Sequence, residues 1–117
     1  LKIYNYIDLA LDTFPYPGIT TSFESVYMGV PFITLSGQNL LTRAGESINK
    51  NLGLEKFIAI NQTDYVNKAI ELSNNPHPLV NLRSNLRNIA LNSPLFDMTT
   101  FGKDFNKLIL DLCKKYN

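Results

Sequence analysis

Cysteine is nearly absent: Cys113 stands alone in 117 residues, so no internal disulfide can form, and no Cys/His cluster exists that could hold zinc. Long apolar runs are missing too, and none approaches the roughly 18–20 residues that a membrane span needs. The first ten residues carry Lys2 and Asp8 and show no small-residue cleavage pattern, which argues against a secretory signal. These absences lead us to expect an intracellular, cytoplasmic protein with no membrane partner. Repeats and low-complexity stretches are also lacking. What remains is the composition of a globular domain, with 44% hydrophobic and 18% charged residues. A chain of this length builds one small core rather than two, so residues 1–117 are read as a single domain. It starts at Leu1 rather than methionine and reads as a piece of a longer polypeptide.

Charge of one sign is scarce as well. The net charge is +1, although residues 1–78 hold five Lys/Arg against seven Asp/Glu, and residues 79–117 hold six against three. A basic end can contact phosphate or nucleic acid. Here Arg83 and Arg87, like Lys103 and Lys107, sit four apart as on solvated helix faces. No aromatic residues interleave with them for base stacking, so no nucleic-acid partner is expected.

What is present is a clear alternation of apolar runs and chain breakers. Ile7-Asp8-Leu9-Ala10-Leu11-Asp12 reads as a strand, with Ala10 suited to burial on both faces. The prolines and glycine of Thr13-Phe14-Pro15-Tyr16-Pro17-Gly18 force a loop. Thr20-Thr21-Ser22 opens a helix that runs to about Met28, stopped by Gly29 and Pro31. Phe32-Ile33-Thr34-Leu35 is a second, β-branched strand, and strand–helix–strand at this spacing predicts a parallel βαβ unit. A helix over Thr42–Leu52, a third strand at Phe57-Ile58-Ala59-Ile60 and a helix from Thr63-Asp64 follow. Pro78 then suits the first position of another helix, and a last helix from about Thr100 carries Phe101, Phe105, Leu108, Ile109, Leu112 and Tyr116 on one stripe. The predicted class is α/β, a Rossmann-like parallel sheet with a helical C-terminal third.

Chemistry in such folds concentrates where strand ends meet helix N-termini. A helix N-terminus offers unpaired N–H groups and a partial positive charge, and both favour phosphate. Gly18 allows close approach to the backbone, Thr20, Thr21 and Ser22 add hydroxyls, and Glu24, one turn in, can accept hydrogen bonds from a sugar hydroxyl. These five are the candidate nucleotide-sugar-binding residues. The same letters have a plainer reading, because Thr21-x-x-Glu24 is also a capping box that satisfies its own helix start.

The stretch from Asp8 to Glu24, with Asp12-Thr13-Phe14-Pro15-Tyr16-Pro17-Gly18 at its centre, closely resembles the protein O-GlcNAc transferase family. Matching features continue through Tyr27-Met28-Gly29-Val30-Pro31, Thr42-Arg43-Ala44-Gly45-Glu46-Ser47, Asn51-Leu52-Gly53-Leu54 and Ser93-Pro94-Leu95-Phe96-Asp97, in order over nearly the whole chain. The resemblance implies an inverting glycosyltransferase of the GT-B type, two Rossmann-like lobes facing a cleft, with this chain as the end of the C-terminal lobe. It implies UDP-GlcNAc as donor substrate, no metal or other cofactor, and an acceptor polypeptide held by regions outside these residues. It also implies that Thr20 and Thr21 contact the donor diphosphate and that Glu24 holds the ribose. Some members place a histidine before the threonines, whereas this chain has Ile19. Many retaining GT-B enzymes pair two glutamates eight apart, but the residue eight before Glu24 is Tyr16, so the inverting family fits better. No catalytic residue and no metal ligand is assigned within the chain.

Other titratable residues read as structural. Asp8 and Asp12 are expected at solvated or turn-capping strand ends, His77 as a helix cap, Arg43 in an ion pair and Cys113 in the core. The rival functional reading is a non-catalytic α/β interaction module in which the cradle is only a helix cap. The terminal stripe is too long for a three-strand sheet to cover, so a homodimer through the C-terminal helices is expected, the alternative being burial by Leu79, Leu82, Leu86 and Ile89.

Overall fold

The computed structural model describes residues 1–116. Its strands are β1 (Ala10–Leu11), β2 (Phe32–Leu35) and β3 (Ile58–Ala59), in the order β1-β2-β3 and parallel throughout. Ala10 aligns with Phe32 and Thr34 with Ile58, so β2 runs through the centre. That position explains its composition: Phe32, Ile33 and Thr34 are all buried, as a strand enclosed by helices requires. β1 is shorter than the expected 7–12 because residues Lys2–Tyr6 coil into a 3-10 turn and Asp8 points to solvent. β3 is shorter than 57–60 because Phe57 closes another 3-10 turn, Glu55–Phe57.

Five helices accompany the sheet: α1 (Thr20–Tyr27), α2 (Ala44–Asn51), α3 (Gln62–Asn74), α4 (His77–Leu91) and α5 (Met98–Tyr116). The stops after α1 and α2 are Gly29 and Gly53, at φ +81° and +68°, the left-handed conformation that a side chain resists. α1 starts at Thr20 as expected, whereas the other starts differ by one or two residues. A 3-10 turn, Leu41–Arg43, precedes α2, and Asn61 rather than Thr63 caps α3 by accepting the Asp64 N–H. His77 is the first residue of α4 rather than its cap, a position Pro76 takes with no side-chain bond.

One core joins the layers. Val26 of α1, Phe32 and Ile33 of β2, Ile48 of α2 and Leu86 of α4 meet within it. Asn49 fixes α2 to the sheet, its Nδ2 donating to the Phe32 carbonyl at 3.0 Å. Arg87 stays exposed as its spacing suggests, but Arg83 is half-buried. Arg83 donates to the carbonyls of Tyr4 and Ile7, and Arg87 lies over the Tyr27 ring, 4.2 Å from its centroid. α5 buries nothing: its stripe, from Phe101 to Tyr116, is exposed along its length. α4 therefore does not cover it, and Cys113 is exposed rather than in the core. No helix among the described residues is long and apolar enough to cross a membrane.

Candidate functional site

The loop between β1 and α1 is tied down from within. The Asp12 carboxylate accepts the Gly18 N–H at 2.7 Å, and the Thr13 hydroxyl donates to the Tyr16 carbonyl at 2.6 Å. Phe14 packs edge-on against Tyr65, ring centroids 5.3 Å apart, and the Tyr65 hydroxyl donates to the Asp12 carbonyl at 2.7 Å. Asp12 is thus the buried turn cap of the two acids, whereas Asp8 stays exposed, with Arg83 at 3.7 Å. Burial pushes the Asp12 carboxyl up from its ordinary value, against the hydrogen bonds from Gly18 and Thr34.

The loop delivers α1 with its first turn open. Ile19 is the N-cap residue and offers no side-chain bond, so the capping box does not form. Thr21 already lies inside the helix, two positions too late to cap it. The N–H groups of Thr20, Thr21 and Ser22 find no acceptor among the described residues, while the Phe23 N–H closes onto the Ile19 carbonyl at 3.0 Å. Thr20 and Thr21 are exposed, their hydroxyls without protein partners among the described residues. Glu24 is exposed one turn on, in the same row as Thr20 and Thr21.

Two of the five candidates also make close contacts within the protein. Gly18 makes room for the protein itself: a Cβ there would lie 2.4 Å from Thr21 Oγ1 and 2.8 Å from Ser22 Oγ. Ser22 is buried and lines a cavity of about 130 Å³ with Tyr4, Asp12 and Thr21. Arg43 makes the expected ion pair. Its guanidinium grips Glu46 through Nε at 3.0 Å and Nη2 at 2.8 Å, and Lys50 and Ser36 donate to the same carboxylate at 2.6 and 2.5 Å. Arg43 foremost, then Lys50 and Ser36, hold the Glu46 carboxyl far below the usual carboxylate range. Arg43, Glu46 and Lys50 form one wall of a cavity of about 820 Å³ beside Ile19, whose other walls include Phe23, Leu40, Leu41 and Leu95. The sequence reading passed over this cavity, because the residues lining it come from α1, the β2–α2 connection, α2 and the turn after α4.

Residues 4–105 match the family described as Glycosyl transferase family 41. The chain belongs to that family. The probable UDP-N-acetylglucosamine–peptide N-acetylglucosaminyltransferase SPINDLY of Solanum lycopersicum is 39% identical over 116 residues, 99% of this chain and 12% of that protein. The UDP-N-acetylglucosamine–peptide N-acetylglucosaminyltransferase of Caenorhabditis elegans is 28% identical over 109 residues, 93% of this chain and 10% of that protein. A solved mutant of the Thermobaculum terrenum O-GlcNAc transferase matches with a TM-score of 0.83 at 32% identity, over 99% of this chain and 23% of that one. The chain therefore spans about an eighth or less of the length of these two curated relatives. The parallel α/β architecture expected for part of a GT-B lobe is the one this neighbour shares.

Proposed function

We propose that this chain is the donor-holding part of a glycosyltransferase that moves N-acetylglucosamine from its uridine diphosphate carrier to serine or threonine hydroxyls of polypeptides, with inversion. The observation that carries the reading is the open first turn of α1, where three N–H groups without acceptors stand beside the uncommitted Thr20 and Thr21 hydroxyls. As the glycosidic bond breaks, negative charge grows on the diphosphate. Fixed N–H dipoles and hydroxyls aimed at it stabilise that charge without reorganising. Glu24 accepts the ribose hydroxyls one turn along. The reading needs no metal, and the acceptor polypeptide and the basic residues facing the nucleotide come from outside this chain. It places the protein in the cytoplasm, where the exposed Cys113 stays reduced.

The test is an amide NMR titration of the chain with UDP, using uridine as the phosphate-free control. UDP is expected to shift the Thr20, Thr21 and Ser22 amides and to bind on the order of tenfold or more tightly than uridine. Equal affinities, or shifts confined to other elements, contradict the reading.

A further inference from the structure

We infer that Asp12 is the positioning residue of this cradle, its carboxylate setting where the first turn of α1 stands relative to the sheet. The inference rests on the donor-site reading above.

Four elements converge on this one residue. Oδ1 accepts the Gly18 N–H at 2.7 Å, two residues ahead of the open turn. Oδ2 accepts the Thr34 hydroxyl of β2 at 2.9 Å. The backbone carbonyl of Asp12 accepts the Tyr65 hydroxyl of α3 at 2.7 Å. α2 presses in from the fourth side at Gly45, where a Cβ would stand 2.6 Å from Asp12 Oδ2 and 2.2 Å from Thr34 Oγ1. Asp12 is only 8% exposed, and a buried acid of this kind persists only where its oxygens are satisfied. Both oxygens are bonded here, and one of the two bonds is to the loop that delivers the ligand-facing turn.

The geometry distinguishes positioning from general support. The Thr21 and Ser22 hydroxyls occupy the space that a Cβ on Gly18 would take, so a shift of Gly18 bears directly on those hydroxyls. Asp12 does not touch a phosphate from this place. It acts through Gly18. A site of this kind works only if its donors are held to within fractions of an ångström by the residues behind them.

The bonds also predict which substitution is tolerated. In Asp12→Asn the amide oxygen can still accept the Gly18 N–H, and its NH2 can donate to a Thr34 hydroxyl that has turned to accept. In Asp12→Ala both links vanish and the half-buried Gly18 N–H loses its acceptor.

The experiment measures UDP and uridine affinities by amide NMR on the folded chain, with hydrogen exchange at Gly18. Asp12→Ala is expected to speed Gly18 exchange and to cut UDP affinity on the order of tenfold. Asp12→Asn is expected to rescue both, with UDP affinity equal to or above that of the wild type because a like charge is removed. Thr34→Val, which keeps the Gly18 bond and loosens only the β2 anchor, gives an intermediate loss and serves where Asp12→Ala does not fold. An Asp12→Ala protein, or a Thr34→Val protein in its place, that keeps full UDP affinity overturns the role of Asp12. So does failure of Asn to rescue. A wild-type chain that binds UDP no better than uridine overturns the donor-site reading itself.

Discussion

The Tyr65 hydroxyl reaches across 53 residues of sequence to the carbonyl of Asp12, 2.7 Å away, and so pins the end of β1 to α3. Tyr65 is buried, and its ring also meets Phe14 in the loop ahead of α1. Tyr65→Phe keeps the ring contact and removes only the hydroxyl. The loss of a buried hydrogen bond, leaving a carbonyl unpaired, is expected to lower stability by about 1–2 kcal/mol in denaturant unfolding. An unchanged midpoint contradicts it.

Two buried acids make opposite contributions to stability against pH. Glu46 is held low by Arg43, Lys50 and Ser36, so its contribution is complete above its ordinary pKa of 4.5 and is lost as pH falls into strong acid. Asp12 is pushed up by burial, so its contribution is largest below its ordinary 3.8 and is lost as pH rises through its raised value. Thermal melts between strong acid and neutrality are expected to show a shallower acid decline in Glu46→Gln than in the wild type. Asp12→Asn is expected to lose less stability on going from acid towards neutral pH. Parallel curves for all three proteins contradict the assignment.

Glycines provide a contrast of mechanism. Gly45→Ala forces a methyl to 2.2 Å from Thr34 Oγ1 inside a closed contact, and is expected to cost about 1–3 kcal/mol through overpacking. Gly53→Ala meets open space and strains only the backbone at φ +68°, for about 1–2 kcal/mol. Replacing Gly53 by asparagine, which tolerates that conformation, recovers much of the loss, whereas Gly45→Asn makes matters worse. Denaturant midpoints rank the four variants.

The exposed stripe of α5 predicts self-association. Phe101 and Phe105 stack on each other, 6.0 Å between centroids, yet both remain exposed, as do Leu108 and Leu112. Sedimentation at tens of micromolar is expected to show a dimer that Phe105→Lys and Leu112→Lys disperse. A monomer at those concentrations contradicts it.

The sheet was legible because a central parallel strand has a recognisable composition: Phe32, Ile33 and Thr34 are all buried, and the last two are β-branched. Helix stops were legible because Gly29 and Gly53 carry the positive φ that only glycine takes easily. The start of α1 at Thr20 was legible too, but those of α2 and α3 were not, since a 3-10 turn, or a cap two residues earlier as at Asn61, leaves the same polar letters behind. In the site, Thr20, Thr21 and Glu24 are exposed where their order placed them. Three features escaped the sequence. Spacing could not show that Ile19 is the N-cap and leaves Thr21 uncapped, that the space over Gly18 is filled by the protein's own hydroxyls, or that Asp12 bonds residues 6 and 22 positions away. Each depends on contacts between elements, which a local pattern does not record.

The central claim is that Thr21 faces a phosphate and does not cap a helix. It is tested most directly by Thr21→Ala in a longer family 41 enzyme built on this segment, measuring kcat/KM and melting temperature together. Loss of a donor to the departing diphosphate is expected to lower kcat/KM by about 10²–10³-fold. With no cap lost, the melting temperature should barely move. A lowered melting temperature with unchanged activity per folded molecule would contradict the account.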